Sequence, residues 1–193
     1  MALGKQAKTL TDKQVNAVLN HLTNTRDPIR NKVIFLLSVK AGMRAKEIAS
    51  LEWSMITDAE GQLTDRISLT DSASKGRSGR NIPCNKDLLA ALKDLKVTSK
   101  VPAGRVIKSQ RSKSVSAQTI INMFRGWYAD LGMDGCSSHS GRRTFITKAA
   151  RKVSYVGGSI RDVQVLAGHS SLAMTQRYIE ADSAAQAKLV NLI

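Results

Sequence analysis

Two short stretches late in the chain carry residues able to do chemistry. His139-Ser-Gly-Arg142 sets a histidine and an arginine three residues apart, which places them on one face of a helix. Further on, Gly168-His169 precedes Tyr178; the glycine can end one helix and the tyrosine then falls on the next. Histidine in metal sites usually comes with carboxylates or thiolates, and this set has neither. It suits a phosphate better. Arginine forks hold phosphoryl oxygens, histidines move protons, and a tyrosine hydroxyl attacks.

The charge balance points the same way. Thirty Lys+Arg against fifteen Asp+Glu give a net charge of +15, and a field of that sign recruits polyanions. Nucleic acid fits better than a membrane surface, because no strongly amphipathic basic helix with aromatic anchors is present. The basic residues are dispersed along the chain, so a folded surface meets the polyanion. Hydrophobic residues make up 42% of the 193, which suits the core of one soluble domain. No apolar run approaches a membrane span, and the first residues lack the apolar core of a signal peptide. A soluble, intracellular protein is expected. Cys84 and Cys136 form no Cys-x-x-Cys, so both are expected to be reduced and structural.

The elements that must position these residues are mostly helical. Thr11-Asp-Lys-Gln14 reads as a capping box before a helix over residues 12–22. Pro28 opens a second, nearly all-apolar helix that Gly42 stops. A short helix over 43–53 carries Arg44 and Glu47, three apart and able to pair. The order helix, glycine turn, short helix is also that of a helix-turn-helix. Residues 66–69 and 80–83 alternate like strands, with a small-residue loop between them that presents Lys75 and Arg77. Asn85 caps a helix over 86–95, 105–108 is a possible short strand, and Ser116 caps a helix ending near Gly132. His139 opens the next helix, Gly157-Gly158 breaks the chain, 160–167 is helical, and a further helix carries Tyr178. A last helix covers 183–193. The fold class is mainly α with a small antiparallel β-sheet (α+β). There is no internal repeat and no low-complexity segment.

Arg44 in Ala-Gly-Met-Arg-Ala-Lys-Glu, Lys75 in a hairpin turn, His139-x-x-Arg142, Gly168-His169 and Tyr178, in that order and spacing, resemble the tyrosine recombinases, the phage integrase family. The likeness runs from about residue 11 to the C-terminus and implies that family's catalytic-domain fold. Two departures stand out: Gly141 and Ala167 occupy positions where the family often has leucine. The N-terminal core-binding domain of most members has no counterpart, so residues 1–193 are expected to form one catalytic domain, either of a short single-domain member or as a fragment of a longer one.

The resemblance implies a set of roles. Arg44 and Arg142 hold the non-bridging oxygens of a DNA phosphodiester, and His169 adds a donor. Tyr178 is the nucleophile, with His139 placed to take its proton. Lys75 is the candidate acid for the leaving 5′ oxygen. Arg77, Arg80 and Arg143 are candidate DNA contacts. Tyr128 and Tyr155 lack this context and receive no chemical role. The product is a 3′-phosphotyrosine linkage that a second 5′ hydroxyl can reverse, with no metal, ATP or other cofactor required. Double-stranded DNA is the implied partner. A tetramer on two paired sites is the implied active form, with residues 183–193 docking on a neighbour and accessory DNA-bending proteins possible partners. The implied location is the cytoplasm, associated with the nucleoid. Two alternatives account for the charge: a non-catalytic, sequence-specific DNA-binding regulator, and a type IB topoisomerase-like enzyme. The first leaves the ordered set of reactive residues unexplained. A hydrolase would need a carboxylate or metal set to activate water, and none is apparent.

Overall fold

Helix α2 (Pro28–Val39) is the member that the others surround. The computed structural model describes residues 7–74, 78–99, 103–109, 112–178 and 190–191. Pro28 occupies the first turn of α2, where an amide N–H has no helical partner anyway, and every side chain from Val33 to Val39 is buried. A helix that is buried all round needs neighbours on every side. Helices α1 (Asp12–Thr23), α3 (Ala45–Ser50), α4 (Lys86–Thr98) and α6 (Ser140–Lys152) pack on it, and α5 (Ala117–Asp130) packs on α1 and α3. The expected capping box starts α1. Thr11 Oγ1 accepts from the Gln14 amide at 3.2 Å, and Gln14 Oε1 accepts from the Thr11 amide at 2.9 Å.

The chain leaves α2 through Gly42, at φ 64°, where a Cβ would collide with the Phe145 ring of α6. Only glycine combines that backbone with that approach. The turn delivers Arg44 to the start of α3. Helix α3 is shorter than the expected 43–53. After it, Leu51 is extended, its carbonyl accepts from the Val106 amide at 2.9 Å, and the Trp53 amide donates to Gly104 O at 3.0 Å. These bonds to a distant segment draw the backbone out of the helix. On the other side they reduce the strand expected at 105–108 to one bridge, Glu52 with Arg105. A six-residue α3 with Glu47, Ile48 and Ala49 buried leaves too little free face for the recognition helix of a helix-turn-helix.

Strands β1 (Arg66–Leu69) and β2 (Arg80–Pro83) form the expected antiparallel pair, with Ile67 opposite Ile82 and Leu69 opposite Arg80. Ile67, Leu69, Arg80 and Ile82 all face inward. Helix α7 (Ile160–Ala167) packs on β2 and on α6, and α8 (Leu172–Gln176) packs on α7. Ile146, Val163 and Ala167 make a second, smaller core there, with Phe145 and Tyr178 against it. The fold is thus mostly helical with a small two-stranded antiparallel sheet. The helix expected over 183–193 lies outside the described residues apart from 190 and 191.

Gly141 has a local reason. A Cβ on it would run into Ser38 Oγ of α2, so the glycine lets α6 approach α2 closely enough to bury Arg142. Ser38 Oγ is itself buried without a hydrogen-bond partner among the described residues. Gly141→Ala is therefore expected to cost about 1–3 kcal/mol through overpacking. Ser38→Ala alone is expected to be neutral or stabilising, since it removes an unpaired buried hydroxyl, and the Gly141→Ala cost shrinks in its background. Urea denaturation of the two single variants and the double variant measures this; purely additive effects would place the clash elsewhere.

Candidate active site

Glu47 is fully buried on α3 and carries two arginines. Its Oε1 accepts from Arg44 Nη1 at 2.8 Å, and its Oε2 accepts from the Arg44 amide at 2.8 Å. Arg80 reaches it from β2 with both terminal nitrogens, each 3.1 Å from one carboxylate oxygen. Burial alone would raise the carboxyl pKa. The Arg80 hydrogen bonds and charge, with those of Arg44, outweigh it and hold Glu47 below the usual carboxylate range.

The same arginines also close the end of α7. A helix leaves its last carbonyls without helical partners and gathers partial negative charge there. Leu166 O accepts from Arg80 Nε at 2.8 Å, Ala167 O from Arg142 Nη2 at 2.7 Å, and Gly168 O from Arg44 Nη2 at 3.4 Å. Three consecutive carbonyls thus take three different arginines. Arg142 also donates through Nη1 to Gly42 O, which ties the α2 exit to the α7 exit. Gly168 sits at φ 60°, and a Cβ there would lie 2.7 Å from Arg80 Nη1. Burial first, then the Arg44 charge, push Arg142 down to about 10, so it remains a cation at neutral pH.

His169 follows that corner directly. Its carbonyl accepts from Gln164 Nε2 at 3.0 Å, and its Nδ1 lies 2.9 Å from Thr175 Oγ1. Burial, then Arg142, Arg44 and Arg80, push its pKa down to about 4, so the ring is neutral at physiological pH. The Tyr178 ring stacks on it, with centroids 5.3 Å apart and planes 26° apart. Arg143 lies against the same tyrosine, its guanidinium carbon 5.9 Å from the ring centroid. Thr147 Oγ1 donates to the Tyr178 carbonyl at 3.2 Å. His139 stands exposed at the start of α6, its Nδ1 3.3 Å from Ser138 Oγ. A cleft of about 450 Å³ brings Arg44, His139, Arg142, His169 and Tyr178 onto one lining, together with Ser78.

Five of the six residues expected to act in catalysis therefore share one cleft. Lys75 and Arg77 lie outside the described residues; Ser78, three positions after Lys75, lines the cleft. Arg80 was expected at the DNA surface, and the structure corrects this. It is buried on Glu47 and Leu166 O, with a side chain only 3% exposed, and has no face left for a DNA phosphate. The strand alternation carried the signal: Ile82 points inward, so Arg80, two residues earlier, shares its face. Arg143, a candidate DNA contact, packs against Tyr178. Tyr155 is 86% exposed on the segment after α6. Tyr128 is buried in the main core, and burial raises its phenol pKa; neither tyrosine lines the cleft.

Two measurements test this electrostatic arrangement. Glu47→Gln removes the one carboxylate among three arginines and is expected to destabilise the fold by about 3–5 kcal/mol, the usual cost of breaking a buried ion pair from one side. A thermal melt that scarcely moves would contradict the shared-carboxylate geometry. His169 contributes a pH dependence of defined sign. Its folded pKa of about 4 lies below an unfolded value of about 6.5. Between these values the unfolded chain binds more protons, so stability falls as pH falls. The loss between pH 7 and pH 5 is expected to be about 2 kcal/mol, and smaller in His169→Gln. Chemical denaturation of both proteins at the two pH values gives the difference.

Comparison with known proteins gives the family. The profile of the phage integrase family matches residues 8–185. The tyrosine recombinase XerC of Shewanella amazonensis is 30% identical over 186 residues, covering 92% of this chain and 59% of that protein. The tyrosine recombinase XerA of Pyrococcus furiosus is 29% identical over 174 residues, covering 89% of this chain and 56% of that one. The chain spans somewhat more than half the length of these relatives. Among solved structures, a XerA recombinase crystal structure superimposes with a TM-score of 0.73 at 21% identity, over all of this chain and 65% of that one. A XerH site-specific recombinase bound to palindromic difH substrate superimposes with a TM-score of 0.73 at 18% identity, over 94% of this chain and 51% of that one. The chain belongs to the phage integrase family, the tyrosine recombinases.

Proposed function

We propose that this chain is the catalytic part of a site-specific DNA recombinase, which cleaves and rejoins strands through a covalent 3′-phosphotyrosine intermediate. The observation that carries this reading is the meeting of Tyr178 with Arg44, Arg142, His139 and His169 in one cleft. Arg44 and Arg142 are permanently charged, fork-shaped donors held in place by carboxylate and carbonyl bonds. That pre-organisation suits the charge that builds on the non-bridging oxygens during in-line attack. Tyr178 Oη attacks phosphorus, the P–O bond to the 5′ oxygen breaks, and the phosphate passes to the tyrosine with its 3′ linkage intact. His139 takes the phenol proton. The departing 5′ oxygen needs a proton, and Lys75 is assigned that role by its place in the family pattern. Reversal by a different 5′ hydroxyl joins new strands.

Net charge also supports a DNA partner. A chain at +15 gathers phosphates by a long-range, salt-dependent attraction. Arg143, whose guanidinium carbon lies 5.9 Å from the Tyr178 ring centroid, is proposed to meet a neighbouring phosphate. The chemistry uses arginines for charge neutralisation and needs neither metal nor ATP. A tetramer on two paired DNA sites, with bending proteins where the sites require them, is the proposed working assembly, and the cytoplasm, in association with the nucleoid, its proposed location. No helix among the described residues is long and apolar enough to cross a membrane.

The test is a covalent trap. Wild type and Tyr178→Phe are incubated in EDTA with labelled DNA from the protein's own locus, then denatured. Labelled protein is expected from the wild type alone. DNA binding by both, with no adduct from either, would favour a regulator that binds without cutting.

A further inference from the structure

Thr175 is fully buried on α8, and nothing in the reaction outlined above uses it. Its hydroxyl lies 2.9 Å from His169 Nδ1, its one hydrogen-bond partner among the described residues. A neutral imidazole carries one N–H, on either Nδ1 or Nε2, and the two choices are not equivalent here. If Nδ1 carried the proton, it would donate to Thr175 Oγ1, and the threonine's own O–H would be buried with no acceptor among the described residues. A buried hydroxyl without an acceptor is costly. If the threonine donates to a bare Nδ1, both groups are satisfied and the proton sits on Nε2. His169 lines the cleft beside Arg44, Arg142 and Tyr178, and Gln164 fixes its backbone through the carbonyl. Nδ1 is turned to the buried threonine, so Nε2 is the ring nitrogen left for a ligand.

We propose that Thr175 is a positioning residue that holds His169 in its Nε2–H tautomer, so that the histidine presents an N–H donor, not a bare nitrogen, to the phosphate. The surrounding arginines make the same arrangement necessary in another way. Burial, together with their charges, keeps the ring from becoming a doubly protonated donor at neutral pH, so a single proton must be on the correct nitrogen. The proposal rests on the cleft being a phosphodiester site, but the tautomer is measurable without DNA.

The chain has three histidines, which keeps a long-range proton–nitrogen NMR spectrum assignable. At pH 7 and without DNA, His169 of the wild type and of Thr175→Ser is expected to show a protonated Nε2 and a bare Nδ1. Thr175→Val, which keeps the volume and removes the donor, is expected to lose that preference. Strand cleavage by Thr175→Val is expected to fall about 10- to 100-fold, the usual effect of removing a group that orients a site ligand, while Thr175→Ser stays near wild type. A wild-type ring protonated on Nδ1 overturns the proposal with no variant needed. So does a Thr175→Val protein with the wild-type tautomer, or one with a changed tautomer that still cleaves at the full rate. A wild type that never cleaves DNA from its own locus counts against the proposed function, and the wild-type spectrum still decides the tautomer.

Discussion

A buried carboxylate shared by two arginines is the constraint on which the site depends. Glu47 comes from the first half of the fold, Arg80 from the hairpin, and Arg44 from the turn after α2. Three guanidinium groups, with Arg142, sit close together around one acid, and their mutual repulsion has to be offset. Glu47 offsets part of it. The open end of α7 offsets more, since its carbonyls point at the same arginines and carry the negative pole of the helix. The arrangement leaves a net positive cleft whose forks are already oriented, which is the condition for stabilising charge that appears only during a reaction.

This network also explains how two hydrophobic cores act as one body. The larger core surrounds α2, and the smaller one joins α6 and α7 around Ile146, Val163 and Ala167. Arg80 crosses the seam between them from β2 to Leu166 O, and Arg142 crosses it from α6 to Gly42 O. Gly42, Gly141 and Gly168 permit the approach: each occupies a place where a side chain would strike α6, α2 or Arg80. Tyr178 packs on the smaller core, Arg44 follows α2 in the larger one, and Arg142 bonds to both. The relative placement of Tyr178 and the cleft arginines is therefore set by polar bonds across the seam.

Much of this was readable before any coordinates. The capping box at Thr11, the apolar run of α2 and the alternation in both strands place those elements almost to the residue, because each rests on local periodicity. Helix α3 and the segment at 105–108 were harder. Their shape depends on backbone bonds between Leu51, Trp53, Gly104 and Val106, which no local pattern contains. The same division holds for the site. Arg44, His139, Arg142, His169 and Tyr178 were found from motif and spacing. Arg80 was expected among the DNA contacts, although its register with Ile82 puts it inside. Thr175 gave no signal, since a threonine on a short helix acquires its meaning only from the imidazole that packs against it.

On the proposed function, the cleft's arginines neutralise the charge of the phosphate that Tyr178 attacks. A DNA site from the protein's own locus carrying one uncharged methylphosphonate at the cleavage position tests it directly. Arg44→Ala is expected to lose cleavage on the ordinary phosphodiester and to regain much of it on the methylphosphonate, because the charge that the arginine opposed is gone. A folded, DNA-binding Arg44→Ala protein that is equally inactive on both substrates would contradict that role.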